Sequence, residues 1–312
     1  MNFNILCGDN VESLKEIADD SLDVCITDPP YGMGMEDWDY SIPPTKTWNE
    51  VYRVLKPGAF CLSFCSTHLY HRMAVNVEDA GFAIKDMIFW LVTTKMAKKN
   101  RLKPAFEPIV VGQKPYEGSL QNNFDKWGAG LINIKGNKVP WDGKPPTGWI
   151  KGGTTRRNFG KDVEKAGVGA KEKLGTVDAD PEGRYPSNIV GDTHPYHQKY
   201  FYAPRVSRQE RNEGLDKDII YYIDDNGELK WRLLATGENN PHPTPKPVSL
   251  MRWLVRIFSP VNGKVLDPYN GTGSTGIASM LEDRTYLGLE LDQNYCDISE
   301  KRIKSFSLYS KF

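Results

Sequence analysis

Pro29 and Pro30 stand side by side, directly after the apolar run Leu22–Thr27 and the acid Asp28. Neither proline carries an N–H, so neither can extend a central strand. A strand built from Leu22–Thr27 must therefore leave its sheet at Asp28. An aromatic, Tyr31, follows the break. A surface turn would account for the two prolines, but not for an acid before them and an aromatic after them. The alternative is that Asp28-Pro29-Pro30-Tyr31 forms the floor of an active site, and the rest of the chain has to decide.

The surrounding ninety residues alternate between two periods. Phe3–Cys7, Leu22–Thr27, Ala59–Phe64, Ile84–Val92 and Pro108–Val111 read as strands. Between them, Val11–Ala18 (capped by Asn10), Trp48–Leu55 (stopped at Lys56-Pro57-Gly58) and Leu69–Ala80 (stopped at Gly81) read as helices. Alternation of this kind predicts an α/β sheet with helical crossovers. From about Gly112 to Tyr185 glycine, proline, lysine and scattered tryptophans take over, and no period persists. Ile219–Ile223 and Leu229–Leu234 flank Asp224-Asp225-Asn226-Gly227, a hairpin signal. The α/β texture then resumes, with helices over Val248–Phe258, Thr275–Leu281 and Tyr295–Ile303 and strands at Val265–Leu266 and Tyr286–Leu291. These shifts divide the chain into 1–111, an insertion over 112–238, and 239–312.

With 39% apolar and 11% aromatic residues, the 312-residue chain is expected to fold. No apolar run approaches the roughly 18 residues needed to span a bilayer, and the start MNFNILCGDN lacks a secretion signal, so a cytoplasmic location and no membrane partner are expected. Cys7, Cys25, Cys61, Cys65 and Cys296 form no C-x-x-C pair and read as reduced thiols. Net charge is zero but unevenly spread: residues 1–90 hold 6 Lys+Arg against 14 Asp+Glu, and residues 91–185 hold 18 against 10. A basic middle beside an acidic start is either a nucleic-acid footprint or a solvated loop. His68/His71 and His194/His197 have metal-like spacing, but no cysteine lies near them and no metal is expected.

The second informative stretch is VLDPYNGTGSTG. Gly271-Thr272-Gly273-Ser274-Thr275-Gly276 fits G-x-G-x-x-G between a strand and a helix, with Glu290 about 20 residues on. Glycines let a backbone approach a ligand, and a strand-end carboxylate can bind both hydroxyls of a ribose. Any nucleoside cofactor has these needs, so the pattern alone does not separate NAD from S-adenosylmethionine. Position argues against NAD, because only about forty residues follow the loop where a dinucleotide fold requires further βαβ units. Asp267 and Tyr269 ahead of the glycines, and a first motif with no role in hydride transfer, favour S-adenosylmethionine.

Taken together, three segments resemble the DNA amino-methyltransferases that modify adenine N6 or cytosine N4. Asp28-Pro29-Pro30-Tyr31 matches their catalytic D/S-P-P-Y motif. Asp267-Pro268-Tyr269-Asn270-Gly271-Thr272-Gly273 is similar to their D-P-F-x-G-S-G cofactor motif, with tyrosine and threonine as departures. His242-Pro243-Thr244-Pro245-Lys246-Pro247 looks like their H-P-T-x-K-P segment. Catalytic motif first and cofactor motif last is the order of the β group, a circular permutation of the common methyltransferase chain. The resemblance implies a Rossmann-like, S-adenosylmethionine-dependent sheet of seven strands, one of them antiparallel, with the insertion serving target recognition. It implies double-stranded DNA as partner, a monomer or homodimer, and a possible cognate restriction enzyme in a bacterial or phage setting.

An exocyclic amine is a poor nucleophile because its lone pair is delocalised into the ring. Two acceptors on its hydrogens would turn that lone pair toward a methyl donor. Asp28 can supply one acceptor and the Pro29 carbonyl the other, held in direction by the locked prolines, while Tyr31 can stack on the base. A base inside a duplex must be flipped out to reach such a pocket. By resemblance, Gly271, Gly273, Asp267 and Tyr269 approach the cofactor, Glu290 its ribose, Asp9 its adenine, and Thr244 and Lys246 its carboxylate. Lys98, Lys99, Arg101, Lys103, Arg156 and Arg157 are candidates for phosphate contact. Trp127, Trp141 and Trp149 could stack beside DNA or anchor loops. The acid at the first motif position tilts the expectation toward adenine N6. Cytosine N4 is the near alternative, an RNA or protein-glutamine target a more distant one, and a non-catalytic DNA-binding protein the rival class.

Overall fold

In the computed structural model the apolar run ahead of Asp28 is a central strand with neighbours on both sides. Residues 2–34, 39–92, 100, 102, 104–141, 180–191 and 245–306 are described in full, and residue 307 and four short strands by backbone alone. The strands are β1 (Phe3–Cys7), β2 (Leu22–Thr27), β3 (Leu55–Phe64), β4 (Ala83–Leu91), β5 (Phe106–Gln113), β6 (Trp149–Ile150), β7 (Thr176–Val177), β8 (Ile189–Gly191), β9 (Ile219–Ile223), β10 (Leu229–Leu233), β11 (Lys264–Asp267) and β12 (Thr285–Glu290). The helices are α1 (Asn10–Lys15), α2 (Thr45–Val54), α3 (Tyr70–Asp79), α4 (Leu120–Trp127), α5 (Val248–Phe258), α6 (Ser274–Leu281) and α7 (Gln293–Ser307).

Eight strands form one sheet in the order β1-β12-β11-β2-β3-β5-β4-β8. Only β5 runs antiparallel to its neighbours within it. The sheet thus has one strand more than the expected seven: Ile189–Gly191 adds to the edge beside β4 in parallel register. Side chains alternate across β2, so that Val24 and Ile26 enter one apolar cluster with α5 and α6, and Cys25 enters another with α1, α2 and α3. A sheet covered on both faces in this way explains why its strands read as unbroken apolar runs.

Three local expectations change. Asp9, not Asn10, caps α1, its carboxylate accepting the N–H groups of Val11 and Glu12 at 2.9 and 3.1 Å. The chain does not pause at Lys56-Pro57-Gly58 but enters β3 directly from α2, and the β2–β3 register shifts between Leu22 and Val24 to absorb the proline. The stretch after Gly112 contains a true helix, α4, whose start is capped by the Ser119 hydroxyl and whose end is the left-handed Gly128.

The described chain divides into two compact units, residues 1–133 with 187–312, and residues 134–186. In the smaller unit Lys138 bridges Asp180 and Glu182 at 2.5 and 2.8 Å. Trp141 donates its Nε1–H to the Asp180 carbonyl at 2.7 Å, with the Arg184 guanidinium 5.1 Å from its ring. That tryptophan is therefore a loop anchor. The strands β9 and β10 pair antiparallel, Ile219 opposite Leu233, as the hairpin signal between them predicts. Among the described residues no helix is long and apolar enough to cross a membrane.

Candidate active site

The strands β1, β12, β11 and β2 are adjacent and parallel, so their carboxyl ends share one edge of the sheet. Each end delivers one group singled out in the sequence: Asp9 after β1, Glu290 at the end of β12, Asp267 at the end of β11, and Asp28 after β2. A small, open cleft of about 30 Å³ lies there, lined by Asp28, Lys246, Met251, Tyr269, Gly271 and Thr275 among others. Ligand sites in open α/β sheets lie at this edge as a rule.

The Asp28 side chain is 20% exposed and heavily engaged. Its Oδ1 accepts the Tyr31 hydroxyl at 2.7 Å, and its Oδ2 accepts the Lys246 ammonium at 2.5 Å. The same Tyr31 hydroxyl lies 3.0 Å from Glu107 Oε2 on β5, and Lys246 lies 3.6 Å from that oxygen. The ammonium also sits 5.3 Å from the centroids of the Tyr31 and Phe64 rings. Burial pushes the Asp28 carboxyl above its ordinary range; Lys246 opposes that shift and Glu107 reinforces it. Burial also acts against the Lys246 charge, yet Asp28 and Glu107 outweigh it and hold the ammonium above the usual lysine value. The Tyr31 phenol is pushed well up, by burial first and then by the two carboxylates. At neutral pH Lys246 is therefore charged and Tyr31 is a neutral donor.

The glycine loop is built from Asp267. Its carboxylate is 2% exposed and accepts the hydroxyls of Thr27 and Thr275, both at 2.6 Å, and the Tyr269 N–H at 3.1 Å. It thereby ties the residue before Asp28 to the first turn of α6. Burial pushes its pKa to about 6 against those three hydrogen bonds. Gly273 takes φ 81° at the start of α6, and a Cβ there would stand 3.0 Å from the Ser299 Cβ. Glu290 Oε2 accepts the Gly271 N–H at 2.7 Å and Oε1 accepts the Asp292 N–H at 3.0 Å. Leu291 adds a third backbone hydrogen bond, which leaves the carboxylate acceptor capacity for a further donor. Asn10 links the edge further by donating to the Pro268 carbonyl at 3.0 Å. A strand-end carboxylate with spare acceptors, a glycine loop and a cleft running on to Asp28 together fit a nucleoside cofactor.

A family model described as DNA methylase, of the N6/N4 type, matches residues 22–301. The chain belongs to that family. The methylase is similar to the type II methyltransferase M.HinfI of Haemophilus influenzae, 43% identical over 316 residues, which cover 96% of this chain and 68% of the relative. Among solved structures, the cytosine-N4-specific PvuII DNA methyltransferase superposes with a TM-score of 0.57 at 13% identity, covering 99% of this chain and 93% of its own. TTHA0409 of Thermus thermophilus, solved with S-adenosyl-L-methionine, gives 0.50 at 19% identity, covering 98% and 96%. At such identities the likeness concerns the fold.

In the structure of the methylase Asp28, Lys246, Asp267, Tyr269 and Gly271 line one cleft, with Tyr31 bonded to Asp28 and Glu290 to the Gly271 N–H behind them. Pro29 and Pro30 follow Asp28 off the end of β2. Lys246, expected at a cofactor carboxylate, is found on Asp28. Thr244, Lys98, Lys99, Arg101, Lys103, Arg156 and Arg157 lie outside the described residues, as do His194 and His197. Of Trp149 only the backbone is described. Glu107 and Thr27 escaped sequence reasoning, since neither sits in a motif. The sole hint was Glu107 as an acid at the start of an apolar strand.

Proposed function

We propose that the enzyme moves a methyl group from S-adenosylmethionine to the exocyclic N6 of an adenine flipped out of duplex DNA. The observation that carries this reading is Asp28 standing at the mouth of the cleft it shares with the glycine loop, held there by Tyr31 and Lys246. The bound cofactor supplies an electrophilic methyl group on a sulfonium. Everything else falls to the chain. Flipping costs a few kcal/mol of unstacking, and the basic stretch between residues 91 and 185 supplies phosphate contacts for it.

With a base seated, Asp28 accepts one amine hydrogen and the Pro29 carbonyl accepts the other. The nitrogen lone pair is thereby freed from the ring and turned to the donor. Bond formation places positive charge on that nitrogen, and two carboxyl groups around one ammonium favour it electrostatically. The surplus proton lies on the hydrogen bond to Asp28, whose raised pKa makes it a better acceptor than an exposed carboxylate. Glu107 and Lys246 act through Asp28 by fixing where its oxygens point.

The test is incubation of the full chain with methyl-labelled cofactor and duplex DNA, followed by nucleoside analysis. N6-methyl-2′-deoxyadenosine is the expected product. N4-methyl-2′-deoxycytidine would move the assignment to the second reading. Unlabelled DNA would reject the activity.

A pH dependence follows from Glu290, which burial raises to about 6. Only the ionised carboxylate can accept ribose hydroxyls while keeping its backbone N–H bonds, so the cofactor binds the deprotonated form more tightly. Affinity should rise with pH through about 6 and level off above it. In calorimetric titrations the Glu290→Gln variant should bind weakly and lose that slope.

A further inference from the structure

The loop that carries Tyr31 owes its shape to a carboxylate outside the motif. Asp39 is 4% exposed, and its Oδ1 accepts the N–H groups of Tyr31 at 2.7 Å and Gly32 at 2.8 Å. Its Oδ2 accepts the Met33 N–H at 3.2 Å, and its carbonyl accepts the Gly34 N–H at 2.8 Å. Four successive N–H groups thus converge on one residue. Pro29 and Pro30 have no N–H to give, so Tyr31 is the first backbone donor after Asp28, and Asp39 takes it. Successive N–H groups curled around an anion need a backbone that bends back on itself. Gly32 permits this with φ 65°, where a Cβ would stand 3.2 Å from the Ile42 nitrogen.

Tyr31 is therefore held at both ends. Its N–H is fixed by Asp39, and its hydroxyl rests on Asp28 at 2.7 Å and Glu107 at 3.0 Å. Were the backbone released, the hydroxyl would be free to leave Asp28, and the Pro29–Pro30 segment would be anchored from the β2 side alone. We propose that Asp39 is a positioning residue for methyl transfer: it grips the backbone of Tyr31, Gly32 and Met33, and through Tyr31 aims the Asp28 carboxylate and the Pro29 carbonyl at the reacting amine. The proposal rests on the reading of Asp28 as the amine acceptor, and its test keeps the two apart.

Steady-state transfer to duplex DNA is measured for the wild type, Asp39→Ala, Asp39→Asn and Asp28→Ala, together with cofactor affinity. Asp39→Ala should lower kcat about 100-fold, the loss expected when a reacting group is misplaced by about an ångström, with the KM for DNA and cofactor affinity unchanged. Asp39→Asn retains an oxygen for the Tyr31 and Gly32 N–H groups and loses the acceptor for Met33, so it should recover most of that kcat. A structural role alone would not give a graded kcat on a flat KM. The proposal is overturned if Asp39→Ala turns over like the wild type, if Asn recovers no more than Ala, or if cofactor binding falls in step with kcat in both. Asp28→Ala with normal turnover would instead overturn the reading beneath it, whereas an inert Asp28→Ala beside a fully active Asp39→Ala overturns the clamp alone.

Discussion

Asp28→Ala is expected to lower methyl transfer by about 10³-fold or more while S-adenosylmethionine still binds, a loss on the scale of removing a general base or an electrostatic stabiliser. Two features of the site separate chemistry from folding in this variant. Lys246 would keep a carboxyl partner in Glu107, 3.6 Å away, so no buried ammonium is orphaned. The glycine loop is organised by Asp267 and Glu290 through bonds that do not involve Asp28. Label incorporation and calorimetric cofactor titration on the same preparation check the result. Retained transfer would remove Asp28 from the chemistry, and joint loss of binding and fold would give it a structural role.

Lys246→Met should act on stability as well as turnover. The ammonium is 7% exposed and bridges two carboxyl groups. Removing one member of a buried pair costs about 3 kcal/mol, and a loss of that size lowers the unfolding temperature by roughly 6 °C in a chain of this length. The deficit should depend on pH with a definite sign. Without Lys246, burial and mutual repulsion raise the folded-state pKa of the Asp28–Glu107 pair above that of the unfolded chain. Such a pair contributes its stability below the unfolded carboxyl value of about 4 and loses it as pH rises through the raised value. The gap to the wild type should therefore widen from acid to neutral pH, as thermal unfolding in a pH series would measure. A gap that narrowed toward neutral pH would mean that the ammonium does not neutralise this pair. Turnover should fall in parallel, because Asp28 would lose the partner on Oδ2 that fixes its plane.

Much of this architecture can be read from local sequence because local chemistry dictates it. Leu22–Thr27 has to be a strand ending at Asp28, since two prolines follow, and Val248–Phe258 has to be a helix between Pro247 and Ser259. What escaped has a physical reason in each case. β8 is three residues long, with Val190 its one fully apolar buried side chain besides a glycine, so no period could announce it. α4 reads Leu-Gln-Asn-Asn-Phe-Asp-Lys-Trp, a polar run in a glycine-rich setting, although its Ser119 and Gly128 caps were visible signals. The site divides along the same line. Asp28, the glycine loop and Glu290 sit in recognisable spacings. The contact of Lys246 with Asp28 spans 218 residues and that of Tyr31 with Glu107 spans 76, distances over which spacing carries no information. Asp39 is eight residues from Tyr31, yet its role follows from the loop's curvature rather than from any pattern.

The neighbour relation between β2 and β11 has a consequence for biosynthesis. Val24 pairs with Val265 and Cys25 with Leu266, although about 240 residues separate them. At a translation rate of about 5–20 residues per second, β2 leaves the ribosome roughly 12–48 s before the strand that completes its hydrogen bonding. During that interval β2 presents an unpaired apolar edge, the kind of surface that chaperones hold and that aggregation exploits. No fragment that stops before Lys264 can form the cleft, because Asp267 and the glycine loop come after it. The cleft can therefore assemble only once β11 has joined β2, and a copy cut short ahead of β11 carries Asp28 without the loop that completes the site.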